Sequence, residues 1–354
     1  MSTLAVNTIT NAAGGNTAQI NGMTPTADSL RGFRNRIING DMRIAQRGTS
    51  FANASNYTLD RWTYTAITTG VVTVSQQTDV PNNNQFQNSL RIAVTTADTS
   101  VAANDVNQIT QFIEGFNISD LVGATFNMSF WVRSSKTGVH CIAMTNSGDD
   151  RTYISEYSIG TANTWEFKTI IVTGGLPSTG TWNFTNGVGL GVRFILAAGT
   201  DYHTTAGAWQ TGVVRSTSSQ VNCMDTIGNI FAITGVQLEA GSVATPFERR
   251  PYGTELALCQ RYYQQVGSFY AGTQVGSETT LVGAYSMYCP MRAGPTGTVA
   301  ANFHRPGVAF YTISSISQIQ DATGGGYSGF TIQSGAGAGT QGQYNGLLKL
   351  SAEL

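Results

Sequence analysis

The chain has 354 residues, 41% hydrophobic, 10% aromatic and only 11% charged, with a formal net charge of −1. Soluble proteins carry about 25% charged residues, but this aromatic and β-branched content excludes a disordered chain, and so small a net charge gives no global field toward nucleic acid or an acidic membrane. No apolar run approaches the roughly 20 residues that cross a bilayer, and "MSTLAVNTIT" has neither the basic nor the apolar region of a signal peptide, so synthesis in a cytoplasm with reduced thiols is expected.

The length predicts two domains with a smaller appendage. The 41 glycines, among many Thr, Ser and Asn, suit turn-rich β structure. Only Lys136, Lys168 and Lys349 are lysines among 19 basic residues, and arginine favours planar, interface-type pairing. Cys141, Cys223, Cys259 and Cys289 show no CxxC or metal-ligand spacing, so buried free thiols are expected.

Residues 1–30 read as a hairpin, "LAVNTIT" and "TAQINGM" around the turn "NAAGGN". One hairpin cannot stand alone and needs a packing partner. Residues 31–56 open with Arg31, Arg34, Arg36, Arg43 and Arg47 against one acid, Asp41. The alternatives are a nucleic-acid patch and a collar pairing with carboxylates or carbonyls of neighbouring subunits; without an RNA-binding signature the collar is preferred.

Residues 57–250 carry recurrent strand patterns: "GVVTVSQ", "SLRIAVTT", "TFNMSFWVRSS", "HCIAMTN", "WEFKTIIVTG", "GLGVRFILAAG" and "NIFAITGVQLEAG". In the third, Phe126, Met128, Phe130 and Val132 face one side; Asn127, Ser129, Trp131 and Arg133 face the other. Such strands without intervening helices predict an all-β sandwich or jelly roll. Residues 251–266 contain a connecting helix, "TELALCQRYYQQ", with Thr254 as N-cap and a stripe of Leu256, Cys259 and Tyr263. Residues 267–354 hold 16 glycines and six charges, and read as a Gly-rich β domain with short strands.

"NRIINGDMRIAQRGTSF", "YTLDRWTY" and "ITGVQLEAGSVATPFERRPYGTELALCQRYYQ" resemble phage tail-fibre and appendage proteins with a carbohydrate-binding-module-like jelly roll. "STLAVNTITNAAGGNTAQINGMTPT" resembles the N-terminal attachment segment of such fibres. The resemblance covers about residues 1–265. It implies a homotrimeric virion adhesin: residues 1–30 dock on other tail proteins through Leu4, Val6, Ile9 and Ile20, and residues 267–354 form a distal, host-facing tip. The partner would be a host surface glycan or protein, with no nucleic acid and no membrane insertion.

Candidate ligand contacts follow from ring stacking. The loop "GTDYHTTAGAWQTG" offers Tyr202 and Trp209, with packing of Trp209 or a subunit contact as the bland alternatives. In the tail, His304, Tyr311, Tyr327 and Tyr344 are candidates, the two last lying among glycines. Trp62, Trp131, Trp165 and Trp182 are expected to pack in or between strands. No cofactor is expected; "NGDM" resembles the opening of calcium-bearing carbohydrate modules, making Asn39, Asp41 and Glu239 weak candidate ligands. Asp149 and Asp150 are expected to be solvated turn acids. No catalytic motif is present. A polysaccharide-cleaving spike would need two carboxylates from Glu114, Asp120, Asp149, Glu156 and Asp201, and a purely structural tail or capsid decoration is the third reading.

Overall fold

The computed structural model describes residues 32–82 and 85–266, then segments 269–271, 273–274, 281–299, 303–305, 308–311, 313–320, 327–334, 342–344 and 348–354; in this later part side chains are described at 288–297 and 348–354. Twelve strands form a sandwich: β1 (Ser50–Ala52), β2 (Trp62–Ile67), β3 (Val71–Gln77), β4 (Ser89–Thr96), β5 (Val106–Glu114), β6 (Phe126–Ser134), β7 (Gly138–Asn146), β8 (Arg151–Ile159), β9 (Glu166–Val172), β10 (Val188–Ala198), β11 (Trp209–Thr211) and β12 (Ile230–Ala240). The first sheet has the order β1-β3-β4-β12-β6-β9 and the second β11-β8-β7-β10-β5-β2. The fold is the all-β sandwich that the strand periodicity predicts.

Phe126, Met128, Phe130 and Val132 of β6 are fully buried, as their alternation requires. They meet Ile142 and Met144 of β7 and Val192 and Phe194 of β10 in one core. Phe130 and Phe194 pack edge-on at 5.1 Å. Burying each such ring contributes on the order of 2 kcal/mol.

The arginine-rich segment, expected to act as a collar, makes extensive contacts within its own chain. It folds onto its own sandwich, with Ile37 and Met42 in the core. Side-chain amides replace a strand partner for its backbone. Gln111 of β5 donates to Ile38 O and accepts from Ile38 N, each at 2.8 Å. Asn35 accepts from Ile37 N and Leu238 N, and Asn39 donates to Ile44 O and Asp60 O. The arginines find partners along the same chain: Arg34 with Glu239, Arg36 with Asp120, Arg43 with Asp41 and Arg47 with Glu353. Arg31 and residues 1–30 lie outside the described residues.

The connecting helix is shorter than expected. α1 runs Tyr252–Gln260, about 14 Å at a rise of about 1.5 Å per residue, and Pro251 rather than Thr254 occupies the cap position. Proline's fixed φ and missing N–H suit the start of a helix. The Leu256–Cys259–Tyr263 stripe does not form: Leu256 is half-buried, and Tyr263 belongs to β13 (Tyr263–Val266). β13 pairs with Leu348–Ser351, which also pairs with Thr296–Val299. The chain thus leaves the sandwich at Tyr262 and returns beside it, where Ala352 N donates to Tyr262 O.

At this junction Arg61, 1% exposed, donates to Phe112 O, ion-pairs with Glu353 and stacks over Tyr262 at 3.5 Å. Removing one partner of a buried pair leaves an uncompensated charge. Glu353→Ala should therefore lower the unfolding free energy by about 3 kcal/mol. Urea denaturation tests this, and a loss under about 1 kcal/mol would show that the pair is solvated.

His140 is fully buried between Tyr157 and Phe231. Its Nδ1 lies 3.2 Å from Gly138 O and its Nε2 3.4 Å from Cys223 Sγ, so the neutral ring donates to the carbonyl and accepts from the thiol. Burial pulls its pKa down from 6.5 to about 4. The unfolded chain then binds the extra proton between those values, so stability falls as pH drops from 6.5 to about 4. The expected loss is about 3 kcal/mol for a shift of this size. The wild type should lose stability over this window relative to His140→Gln; parallel curves would refute the burial cost.

Candidate functional site

The Trp209 loop divides in two. Trp209 lies on β11 opposite Tyr153. Its Nε1 donates to Gly175 O at 2.8 Å, and its ring meets Tyr153 at 5.6 Å and Trp182 edge-on at 5.7 Å. Tyr202 lies in a short 3-10 turn, its carbonyl accepting from Arg215 N and Ser216 N. Trp209 is thus chiefly a packing residue, the alternative that the sequence left open.

Tyr327 and Tyr344 have strand backbones, not loop backbones: Tyr327 pairs with Met291 and Gln320, and Tyr344 with Phe269 and Phe303. His304 and Tyr311 also lie in strands. The side chains of all four lie outside the described residues, as do Leu4, Val6, Ile9 and Ile20.

The weak calcium candidates are held by protein donors. Asn39 shapes its own turn at φ 56°, and Asp41 pairs with Arg43. Burial raises the Asp41 pKa, with Arg43 opposing. Glu239 accepts from Thr245 N, Thr245 Oγ1 and Gln237 Nε2. Among the described residues no three His, Cys, Asp or Glu side chains gather as a metal site. Asp149 and Asp150 are not simply solvated. Asp149 pairs with Arg215. Asp150 accepts from Asn146 and Thr181, and these hydrogen bonds lower its pKa.

The arrangement best suited to binding lies on the outer face of the first sheet. β6 and β9 place Trp131 opposite Phe167, with ring centroids 5.4 Å apart. Phe167 is 47% exposed and Trp131 is half-buried, so of the expected packing in or between strands Trp131 takes the inter-strand form. Behind them Phe86 and Phe247 pack edge-on at 5.3 Å. A β-bulge makes the room. The β12–β6 register shifts between Thr234 and Gln237, and Gly235 there has φ 61°. A Cβ on Gly235 would lie 2.5 Å from the Phe86 ring, so only glycine fits. The result is a groove of about 170 Å³, completed by Gln85, Ser129, Thr245 and Pro246. Ile171, 49% exposed, continues the apolar strip along β9. The parity of "SFWVRS" already turned Trp131 outward; its partner and the bulge were not visible there.

No known family model and no curated protein match this chain. Among solved structures, it is similar to the enzymatically active domain of bacteriophage CBA120 tailspike protein 4, at 20% identity and TM-score 0.35 over 59% of this chain. That match spans 22% of the tailspike chain. It is also similar to a family 11 carbohydrate-binding module of a Clostridium thermocellum cellulosomal cellulase, at 10% identity and TM-score 0.31, covering 55% of this chain and 96% of the module. A xylan-binding domain from Paenibacillus barcinonensis matches at 12% identity and TM-score 0.26, covering 55% and 94%.

The contacts of Trp209 have a stability consequence. Trp209→Ala should cost about 2 kcal/mol or more, as expected for truncating a large packed ring. Chemical denaturation checks this; a change under about 0.5 kcal/mol would identify the ring as a free surface group.

Proposed function

We propose that this chain is a non-enzymatic adhesin of a phage tail or appendage that binds a host surface glycan through its sandwich. The observation that carries glycan binding is the Trp131–Phe167 pair, two adjacent rings opening to solvent over a groove with hydroxyl and amide groups at its rim. Aromatic faces take the C–H faces of sugar rings, and a few placed polar groups orient them. The phage reading is supported by the motif resemblance in residues 1–265. With it come homotrimeric assembly, docking of residues 1–30 on other tail proteins, and a host-facing role for residues 267–354.

The polysaccharide-cleaving alternative has less support. Four of its five candidate acids are tied to partners: Glu114 to Arg261 and Tyr262, Asp120 to Arg36, Asp149 to Arg215, and Glu156 to Thr217. Glycosidic cleavage needs two carboxyl groups about 5–9.5 Å apart and free to exchange protons.

Gel retardation on host surface polysaccharide tests the reading. The wild type should be retained and leave the polymer length unchanged. Trp131→Ala/Phe167→Ala should lose retention about tenfold or more, since stacked rings commonly contribute on the order of 1 kcal/mol each and three copies multiply the effect. Its melting temperature should stay near that of the wild type. Unchanged retention would refute the groove, and shortened polymer would establish cleavage. A native mass of one chain at micromolar concentration would remove the trimer.

A further inference from the structure

β9 is the last strand of the first sheet, so one of its sides is an open edge. Its Ile170 and Val172 turn into the core. The alternate residues Phe167, Thr169 and Ile171 therefore turn outward, and all three are exposed. From Phe167 to Ile171 this strip runs about 13 Å, at about 3.3 Å per residue. On the neighbouring β6, Asn127 donates to Gly241 O and Val243 O, each at 3.1 Å, which draws the segment after β12 over that strand. Pro246 and Phe247 of the same segment border the groove. The strip is thus a trough with β9 as its floor, residues 241–247 along one side and the sheet edge along the other.

The trough continues past the ring pair in the other direction. Trp165 immediately precedes β9 and is half-buried. It lies one strand step, about 7 Å, beyond Phe167. Its Nε1 donates to Asp79 Oδ1 at 3.2 Å, and the second Asp79 oxygen pairs with Arg133 of β6. Arg133 follows Trp131 by two residues, so this cluster sits next to the Trp131–Phe167 pair on the same face. Ser89 Oγ donates to Asp79 O at 2.6 Å and fixes the acid there. The Asp79 side chain is nonetheless 48% exposed. A carboxylate has about four acceptor positions. Arg133 and Trp165 use one on each oxygen, which leaves about two for hydroxyl donors. Arg133 is matched by Asp79, so the cluster offers acceptors rather than net charge.

We propose that the groove is the middle of a longer site that takes an internal stretch of a linear glycan along β9, with Trp165 and Asp79 forming a second sugar subsite beside the Trp131–Phe167 platform. The inference rests on the glycan-binding reading and adds the class of glycan and the direction in which it lies. Two ring faces one strand step apart meet successive sugars rather than one. Exposed side chains run on at both ends, Trp165 and Asp79 at one, Thr169 and Ile171 at the other. A polymer can therefore enter and leave the trough, whereas recognition of a chain end needs a closed pocket.

Host surface polysaccharide and its size-fractionated hydrolysis fragments test this, with affinities measured by calorimetry. The wild type should bind hexasaccharide fragments at least tenfold better than disaccharides, and should also retain the intact polymer. Trp165→Ala should weaken hexasaccharide binding about tenfold and disaccharide binding less than twofold, with an unchanged melting temperature. Asp79→Asn should weaken the hexasaccharide severalfold. Trp131→Ala/Phe167→Ala should weaken both fragments. Equal wild-type affinity for the two fragments overturns the second subsite, as does a stable Trp165→Ala protein with full hexasaccharide affinity. If Trp165→Ala is unstable, the length dependence of the wild type decides. Binding of fragments without retention of the polymer marks an end-reading site; it overturns this proposal and leaves the glycan-binding reading standing. Binding of neither overturns both.

Discussion

Arg61 is a guanidinium at 1% exposure, held at φ 72° at the entry to β2. A charge so buried is tolerated only when matched. Its partners come from four places in the chain: the Phe112 carbonyl on β5, the Tyr262 ring after α1, Glu353, and through Glu353 also Arg47. Satisfying this one group fixes where the chain leaves the sandwich and where it returns. Arg250 repeats the device nearby. It lies between the carbonyls of Asn35 and Ile37 and the carboxylates of Glu248 and Glu255, locking residues 35–37 against the start of α1. Other pairs, such as Arg133 with Asp79 and Lys136 with Asp225, are more exposed.

The outer side of the first sheet shows the Trp131 and Phe167 rings beside an ion pair of Arg133 with Asp79. The groove there is held by backbone, because the β12 bulge and Gly235 set the position of Phe86 beside Phe247.

Much of the sandwich was legible in sequence, since β3, β4, β6, β7, β9, β10 and β12 follow a period of two in apolar residues or long apolar runs. β5 was not. "VNQITQFIE" buries Asn107, Gln108, Thr110 and Gln111, because Gln111 serves the backbone at Ile38 and Asn107 accepts from Tyr64. A polar strand buried on both faces carries no periodic signal. The intrachain partners of the arginine-rich segment were not legible for a related reason: Glu239, Glu248 and Glu353 lie some 200 to 300 positions away, and no local pattern announces them. The Trp209 loop was visible as an aromatic cluster. Its packing role rests on Gly175 and Trp182, from a different loop. The groove has the same origin, as Phe86, Trp131, Phe167 and Phe247 converge only after the sheet forms.

The junction also bears on how the later part of the chain is carried. β13 and Leu348–Ser351 are neighbouring antiparallel strands, so the intervening residues 267–347 depart from and return to one edge of the sandwich. Four paired positions and the Ala352–Tyr262 hydrogen bond close this root, and Arg47 stacks over Tyr263 at 3.6 Å while pairing with Glu353. A segment tethered at one end can swing on its linker. Two ends zipped together and clamped by buried ion pairs hold the strands Tyr263–Val266 and Leu348–Ser351 beside the sandwich.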